Sequence, residues 1–296
     1  MNKKKSSFRR WLCKEHVAGY LLAAPFILGF LCFIIIPMGL SLYFSFCDYS
    51  IVKPEKWIGL ANYTKLFTDP KLINSLKVTL KYTFFSVPLK LLFSLIIALL
   101  LLRNTKATPL YRATYYIPSI MGASVAVSVL WKQVFMTDGL FNQITGMEVA
   151  WLANPKTAIW ILILLSVWQF GSSMLIFLSN LKQIPQELYE AAKVDGAGKI
   201  ASFFTITLPL LTSTIFFNLI MQSINGLLVF VQGQIITEGK PMDSTKFYVL
   251  YMYEQAFQFS HAGYASAMGW IMVFLIILYT IFLFATKKFW VYEGGY

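Results

Sequence analysis

The chain has 296 residues, of which 57% are hydrophobic and only 13% charged, an apolar share above and a charged share well below those of soluble domains. A formal net charge of +12 could serve nucleic acid, but the basic residues are scattered between apolar runs instead of gathered on one aromatic-studded face, which excludes that class. The composition is that of an integral membrane protein, with no room for a separate soluble domain between its apolar runs.

In chain order, Lys3, Lys4, Lys5, Arg9, Arg10 and Lys14 make residues 1–16 a basic segment that the positive-inside rule places in the cytoplasm. The run from Val17 to Cys47 is far longer than the roughly 7–15 apolar residues of a secretory signal, so it is expected to remain as a first span. Spans are expected at about residues 17–46, 78–102, 113–136, 157–181, 207–235 and 263–286. Arg103, Lys106 and Arg112 then fall in one inside loop, Lys182, Lys193 and Lys199 in another, and Lys287 and Lys288 begin an inside tail over 287–296. The first outside loop departs from the rule, with Lys53, Lys56, Lys65 and Lys71 against Asp48, Glu55 and Asp69. The expected fold is all-α, with six transmembrane helices over 17–286 and both termini cytoplasmic.

Cys13, Cys32 and Cys47 show neither CxxC nor zinc spacing, and His16 and His261 lack a partner at ligand spacing, so no metal site is expected. Pro25, Pro37, Pro88, Pro118, Gly122 and Gly171 interrupt the expected spans. Ordinary kinks and close packing are expected there rather than a discontinuous binding helix.

Polar groups inside apolar spans must find partners. In the fifth span Asn218, Gln222, Asn225 and Gln232 are spaced to lie on one helical stripe. Amides both donate and accept, which suits hydroxyl-rich solutes and equally suits hydrogen bonds between helices. Trp168, Gln169, Ser172 and Ser173 in the fourth span could complete either arrangement. Lys90 stands in the middle of "SVPLKLLFSLIIALL", where a lysine costs on the order of 2.5–3.5 kcal/mol on insertion scales, so it must face a cavity, a partner or a snorkelling route, and pointing into the bundle is expected ahead of snorkelling.

Between the fourth and fifth spans, "QELYEAAKVDGAGKIASFFTITLPLL" holds a polar island. Pro185 suits a first helical turn, Glu187 and Glu190 lie near the positive end of the dipole, and Gly196 supplies a stop. A short helix, a glycine turn and a second helix beginning near Ala197 are expected, with Asp195 as a possible cap. Leu188, Ala191, Ala192 and Asp195 share one face. "GAGKI" is not a phosphate loop, since Lys193 replaces the first Gly and Ile200 the Ser or Thr.

Glu190, Ala191, Ala192, then Gly196, then Ile206, Leu208 and Pro209 spell a pattern that resembles the EAA loop of the membrane subunits of bacterial and archaeal ABC importers. "WIGLANYTKLFTDP", "GLFNQI", "TEGKP", "EQAF" and "GYASAM" are similar to the carbohydrate-uptake permeases of that group, which include the maltose permease subunits. Lys240 departs from the GGP common there. The resemblance implies the type I importer permease fold, with a coupling loop over 182–206 in which Glu190, Ala191, Ala192, Asp195 and Gly196 dock on an ATPase.

It also implies a location in the cytoplasmic membrane and partners in a second permease subunit, two cytoplasmic ATPase subunits and an external solute-binding protein. ATP and magnesium would sit on the ATPases, and this chain would bind no cofactor and catalyse no reaction. Sugar contacts would fall on the span after the loop, favouring a substrate role over helix glue for Gln222 and Asn225, with Asn218, Trp168, Gln169 and Lys90 as further candidates for the substrate path. A permease for a non-sugar solute is the alternative. A secondary transporter would want coupling-ion carboxylates near the midplane, and a membrane enzyme a cluster of His, Asp or Glu.

Overall fold

The computed structural model describes residues 15–50, 53–102, 106–122 and 124–292. The basic N-terminal residues Lys3, Lys4, Lys5, Arg9, Arg10 and Lys14, together with Cys13 and Arg103, lie outside the described residues. Two compact units arise, the described part of Met1–Leu66 with Gln255–Trp270, and Phe67–Glu254 with the described part of Ile271–Tyr296.

The first unit opens with α1 (Glu15–Phe30), a π-helical turn (Leu31–Ile35) and α2 (Ile36–Ser45), an apolar stretch long enough to cross a membrane between Leu22 and Ser45. The loop that follows corrects the all-α expectation: β1 (Cys47–Ser50) pairs antiparallel with β2 (Lys53–Trp57), and α3 (Ala61–Thr68) comes next. Its stabilisation is local. Asn62 Nδ2 donates to Ser45 O and Cys47 O, each at 2.9 Å, while Phe46 stacks on Trp57 with centroids 5.4 Å apart. The "WIGLANY" letters thus tie the end of a span to the hairpin. Asn62→Ala removes two bonds worth about 1 kcal/mol each, so a fall in the detergent thermal-unfolding midpoint is expected, and an unchanged midpoint would refute the tie.

In the second unit, α4 (Pro70–Leu100) starts at Pro70 rather than near residue 78, because Asp69 caps it. Asp69 Oδ1 accepts from the amides of Lys71 at 2.9 Å and Leu72 at 3.3 Å. Its 31 residues extend about 46 Å at about 1.5 Å each, more than the roughly 30 Å of a hydrocarbon core. The expected third span is two helices, α5 (Thr108–Met121) and α6 (Val125–Phe135), parted at Gly122, and the fourth is α8 (Ala158–Trp168) and α9 (Gly171–Leu181), bent by 42°. The short α7 (Leu140–Thr145) lies between these pairs. Both breaks correct the expectation of simple kinks.

Beyond them come α10 (Gln186–Val194) and α11 (Lys199–Ser202); a π-helical turn joins α11 to α12 (Leu208–Leu227), making one apolar helix over Lys199–Leu227. This fifth helix ends at Leu227, so Gln232 sits beyond it and not on the stripe that residues 207–235 were expected to form. The last elements are α13 (Tyr248–Tyr253) and α14 (Ala262–Trp290). Among the described residues, four helices are long and apolar enough to span a membrane, or six segments if each bent pair counts as one.

Among the described residues, two large apolar clusters organise the second unit, beside a small one of Phe216, Leu283 and Val291. One gathers Tyr82, Leu162, Ile236, Phe247 and Leu250, the other Leu91, Met174, Phe177, Leu181 and Leu211. Along α4 the polar residues between Tyr82 and Lys90 separate them.

Candidate functional site

A cavity of about 390 Å³ opens where the two helix breaks meet α4, the end of α12 and the segment after it, within the roughly 300–1,000 Å³ usual for small-molecule sites. Tyr82, Ser86 and Lys90 line it from α4; spaced four residues apart, they share one helical face. Ser119 and Gly122 come from the first break, Ser166, Gln169 and Ser172 from the second, and Gln222, Asn225 and Gln232 from α12 and beyond.

The backbone explains why the breaks sit there. A helix interrupted at membrane depth frees amide and carbonyl groups that protein must satisfy. Gln169 Nε2 donates to Gly122 O at 2.8 Å, and Ser119 Oγ donates to Gln169 O at 3.0 Å. The Ser172 amide donates to Ser119 Oγ at 3.0 Å, while Ser94 Oγ lies 3.1 Å from Phe170 O. Each break therefore serves the other. Gly171 permits the approach, since a β-carbon there would collide with Tyr115 O and Tyr116 Cα.

From this scaffold an amide chain crosses the cavity wall. Tyr82 OH donates to Gln232 Oε1 at 3.1 Å, and Gln232 Nε2 donates to Gln169 Oε1 at a longer 3.4 Å. Gln222 Nε2 donates to Ser173 Oγ at 3.1 Å, leaving its carbonyl oxygen for other partners. Among the described residues the wall offers amides and hydroxyls in quantity and no carboxylate. A second cleft of about 730 Å³, lined by Leu80, Phe84, Pro88, Leu219, Leu227 and Leu275 among others, has the chemistry of an acyl chain or a helix face and not of a polar solute.

Of the residues singled out from sequence, Lys90, Gln169, Ser172, Gln222, Asn225 and Gln232 meet in the polar cavity. Three do not. Ser173 is off the lining, its Oγ accepting from Gln222. Asn218 is fully buried one turn earlier, where its Nδ2 donates to Thr214 O at 3.0 Å and its Oδ1 has no partner. Trp168 packs on Trp131 with ring centroids 5.6 Å apart, off the cavity lining. Sequence reasoning missed Tyr82, Ser86, Ser119 and Ser166. The four-residue spacing of Tyr82, Ser86 and Lys90 was the available signal for the first two.

At the polar island, α10 runs from Gln186, with Pro185 as its N-cap and not inside its first turn. Its end is a Schellman motif: Ala197 N donates to Ala192 O at 2.8 Å and Gly196 N to Lys193 O at 3.1 Å, with Gly196 left-handed at φ 81°. The second helix starts at Lys199 with Gly198 as N-cap and no side-chain capping bond, so Asp195 does not cap it. Tyr189 OH and Thr207 Oγ1, 2.8 Å apart, fasten α10 to the base of the fifth helix. No residue of α10 is buried, and Val194 and Ile200 are 87% and 76% exposed. Glu190, Ala191, Asp195 and Gly196 are exposed beside them and Ala192 is half-buried.

The segment containing "TEGKP" is held by ion pairs, Glu238 with Lys132 at 3.5 Å and Lys240 at 3.3 Å, and Lys246 with Asp243 at 3.0 Å and Glu254 at 3.2 Å. Hydrogen bonding from Lys240 and the nearby charge of Lys132 hold the Glu238 carboxyl below the usual carboxylate range. Burial alone would lower Lys246, but its bonds to Asp243 and Glu254 outweigh that and raise it. Lys240 thus finds a carboxylate partner, although so exposed a pair stabilises little.

Comparison with known proteins places this architecture. Residues 72–288 match the family described as binding-protein-dependent transport system inner membrane component. The probable ABC transporter permease protein YesP of Bacillus subtilis (strain 168) is 49% identical over 96% of this chain and 94% of its own length. The arabinooligosaccharides transport system permease protein AraP of the same organism is 29% identical over 98% of this chain and 94% of its own. Among solved structures, a bacterial alginate ABC transporter in complex with an alginate pentasaccharide-bound periplasmic protein superposes with a TM-score of 0.80 at 22% identity, covering 97% of this chain and 98% of that one; at that identity it speaks for the fold. The chain belongs to the family of inner membrane components of binding-protein-dependent transport systems.

Proposed function

We propose that this chain is one permease subunit of an ATP-driven importer, that it carries a sugar or oligosaccharide across the cytoplasmic membrane, and that the cavity at the two helix breaks is its part of the sugar path. The observation that carries the reading is the convergence of Gln169, Gln222, Asn225 and Gln232 with serine hydroxyls around one cavity. Amides that donate and accept match the hydroxyls of a sugar, and naming among the relatives, such as the arabinooligosaccharide permease, points to the same class.

In this reading the two bent pairs each count as one span, giving six, with both termini in the cytoplasm. Residues 1–16 form a basic cytoplasmic segment, 17–286 the permease domain and 287–296 a tail. The loop 182–206 docks on an ATPase through Glu190, Ala191, Ala192, Asp195 and Gly196, joined by the exposed apolar side chains of Val194 and Ile200. The complex holds a second permease subunit, two ATPases that bind ATP and magnesium, and an external solute-binding protein. ATP-driven closure of the ATPases moves the docked helix and biases the spans between inward-open and outward-open states.

Co-expression with a candidate ATPase and second permease from the same genome is expected to give a complex that survives purification. Gln222→Leu or Asn225→Leu is expected to lower uptake several-fold without loss of the complex. Uptake unchanged in both variants would reduce these amides to packing, and a chain that transports without any ATPase would refute the assignment to an importer.

A further inference from the structure

Lys90 is unexplained by a path for neutral sugar. It lies on α4, ten residues before the helix end at Leu100, or roughly 15 Å along the axis. Its side chain lines the polar cavity instead of following the helix to a membrane surface. The groups around it, Tyr82, Ser86, Gln169, Gln222, Asn225 and Gln232, are all neutral, and among the described residues no Asp or Glu lines the cavity. Ion pairs among the described residues involve Lys132, Lys240 and Lys246, and none reaches Lys90.

An ionisable residue inside a membrane span by default marks a solute or ion pathway, and it pairs with an opposite charge or with backbone carbonyls. Lys90 is half-buried, and a charge drawn away from water without a partner is costly. Neutral amides solvate an ammonium but do not neutralise it, and helix packing would be served equally by glutamine, without the cost of inserting a charge. The cation has a use when the occupant of the cavity brings the anion.

We infer that the cargo of this importer is a sugar bearing an acidic group, of the uronic acid class, whose carboxylate pairs with Lys90 Nζ while its hydroxyls meet the surrounding amides. This rests on the cavity being the sugar path. The amides and serines fix the ring through hydrogen bonds that any sugar would make, and Lys90 selects for charge. Discrimination of this kind is a difference between two affinities, so it is measured on two probes that differ only in the acid.

The test uses the assembled importer in lipid nanodiscs, with equilibrium binding of a galacturonic acid disaccharide and of the same disaccharide with its carboxyls reduced to alcohols. The wild-type complex is expected to bind the acidic probe at least about tenfold more tightly, a factor that corresponds to about 1.4 kcal/mol. Lys90→Met is expected to remove that preference by weakening the acidic probe alone, and Lys90→Arg to restore most of it. A wild type that binds both probes equally, or a Lys90→Met complex that keeps the preference, overturns the inference. So does loss of the second permease subunit from the Lys90→Met complex, because the counter-charge would then belong to that subunit. Gln222→Leu separates the two readings: weakening both probes in parallel supports the sugar path and leaves the acid preference to Lys90. If neither probe binds the wild type, the sugar path fails along with the inference.

Discussion

Gly196→Val is expected to cut sugar uptake by at least about tenfold in intact cells while the protein stays in the membrane, and to remove the ATPase from the purified complex. A β-carbon at Gly196 would meet nothing of this chain within 4 Å, so no clash inside the loop is involved. It comes from the backbone, because φ is 81° and an L-residue in the left-handed region costs roughly 1–2 kcal/mol, more when β-branched. If the residue moves to an ordinary conformation, the bonds from Ala197 N to Ala192 O and Gly196 N to Lys193 O are lost, about 1 kcal/mol each.

Against this the nine-residue α10 has little reserve, since isolated helices shorter than about 12–15 residues are marginal in water and none of its residues is buried. The turn that presents Glu190, Ala191 and Ala192 therefore fails before the spans do. Gly196→Asn, which tolerates the left-handed region, is expected to keep a large share of uptake. Equal uptake and ATPase retention in Gly196→Val and wild type would show that the loop does not couple through this turn.

How far the letters foretold the structure depended on whether the cause was local. The Schellman turn was legible because a glycine four residues past Ala192 ends a short amphipathic run, and the geometry follows from those residues alone. The membrane helices were legible as apolar runs, but their ends were not. Asp69 moves the start of α4 to Pro70 by capping polar residues that hydropathy would leave out.

The breaks at Gly122 and Gln169 were the largest miss, because a kink and a discontinuity look alike until the groups that satisfy the freed backbone are known. Those groups are Ser119, Ser94 and Gln169 itself, reached across 76 residues of sequence in the case of Ser94 and Phe170. The hairpin between Cys47 and Trp57 was missed for a similar reason, since Asn62, which holds it, lies in the helix after it. In the cavity, Gln222 and Asn225 were legible from spacing, whereas Asn218 turned inward to bond Thr214 one turn back.

Gln169→Leu is expected to abolish uptake and to lower the thermal midpoint of the purified complex. Its backbone oxygen accepts from Ser119, its Nε2 donates to Gly122 O, and its Oε1 accepts from Gln232, so one residue joins both helix breaks to the far wall. Leucine keeps the backbone contact and the volume but orphans the Gly122 carbonyl, which costs about 1–3 kcal/mol when buried.

Gln232→Leu is the needed contrast. It leaves the Gly122 bond in place and removes the acceptor of Tyr82 OH, so its loss of stability has a separate origin. Because Gln169 and Gln232 touch through a long 3.4 Å bond, their double-mutant coupling should fall near the low end of the roughly 0.5–3 kcal/mol seen between contacting residues. A larger coupling would mean that the amides act as one rigid network. If Gln169→Leu left the midpoint unchanged but still abolished uptake, the amide would serve the cargo and not the breaks, and the bent spans would be stabilised by Ser119 and Ser94 alone.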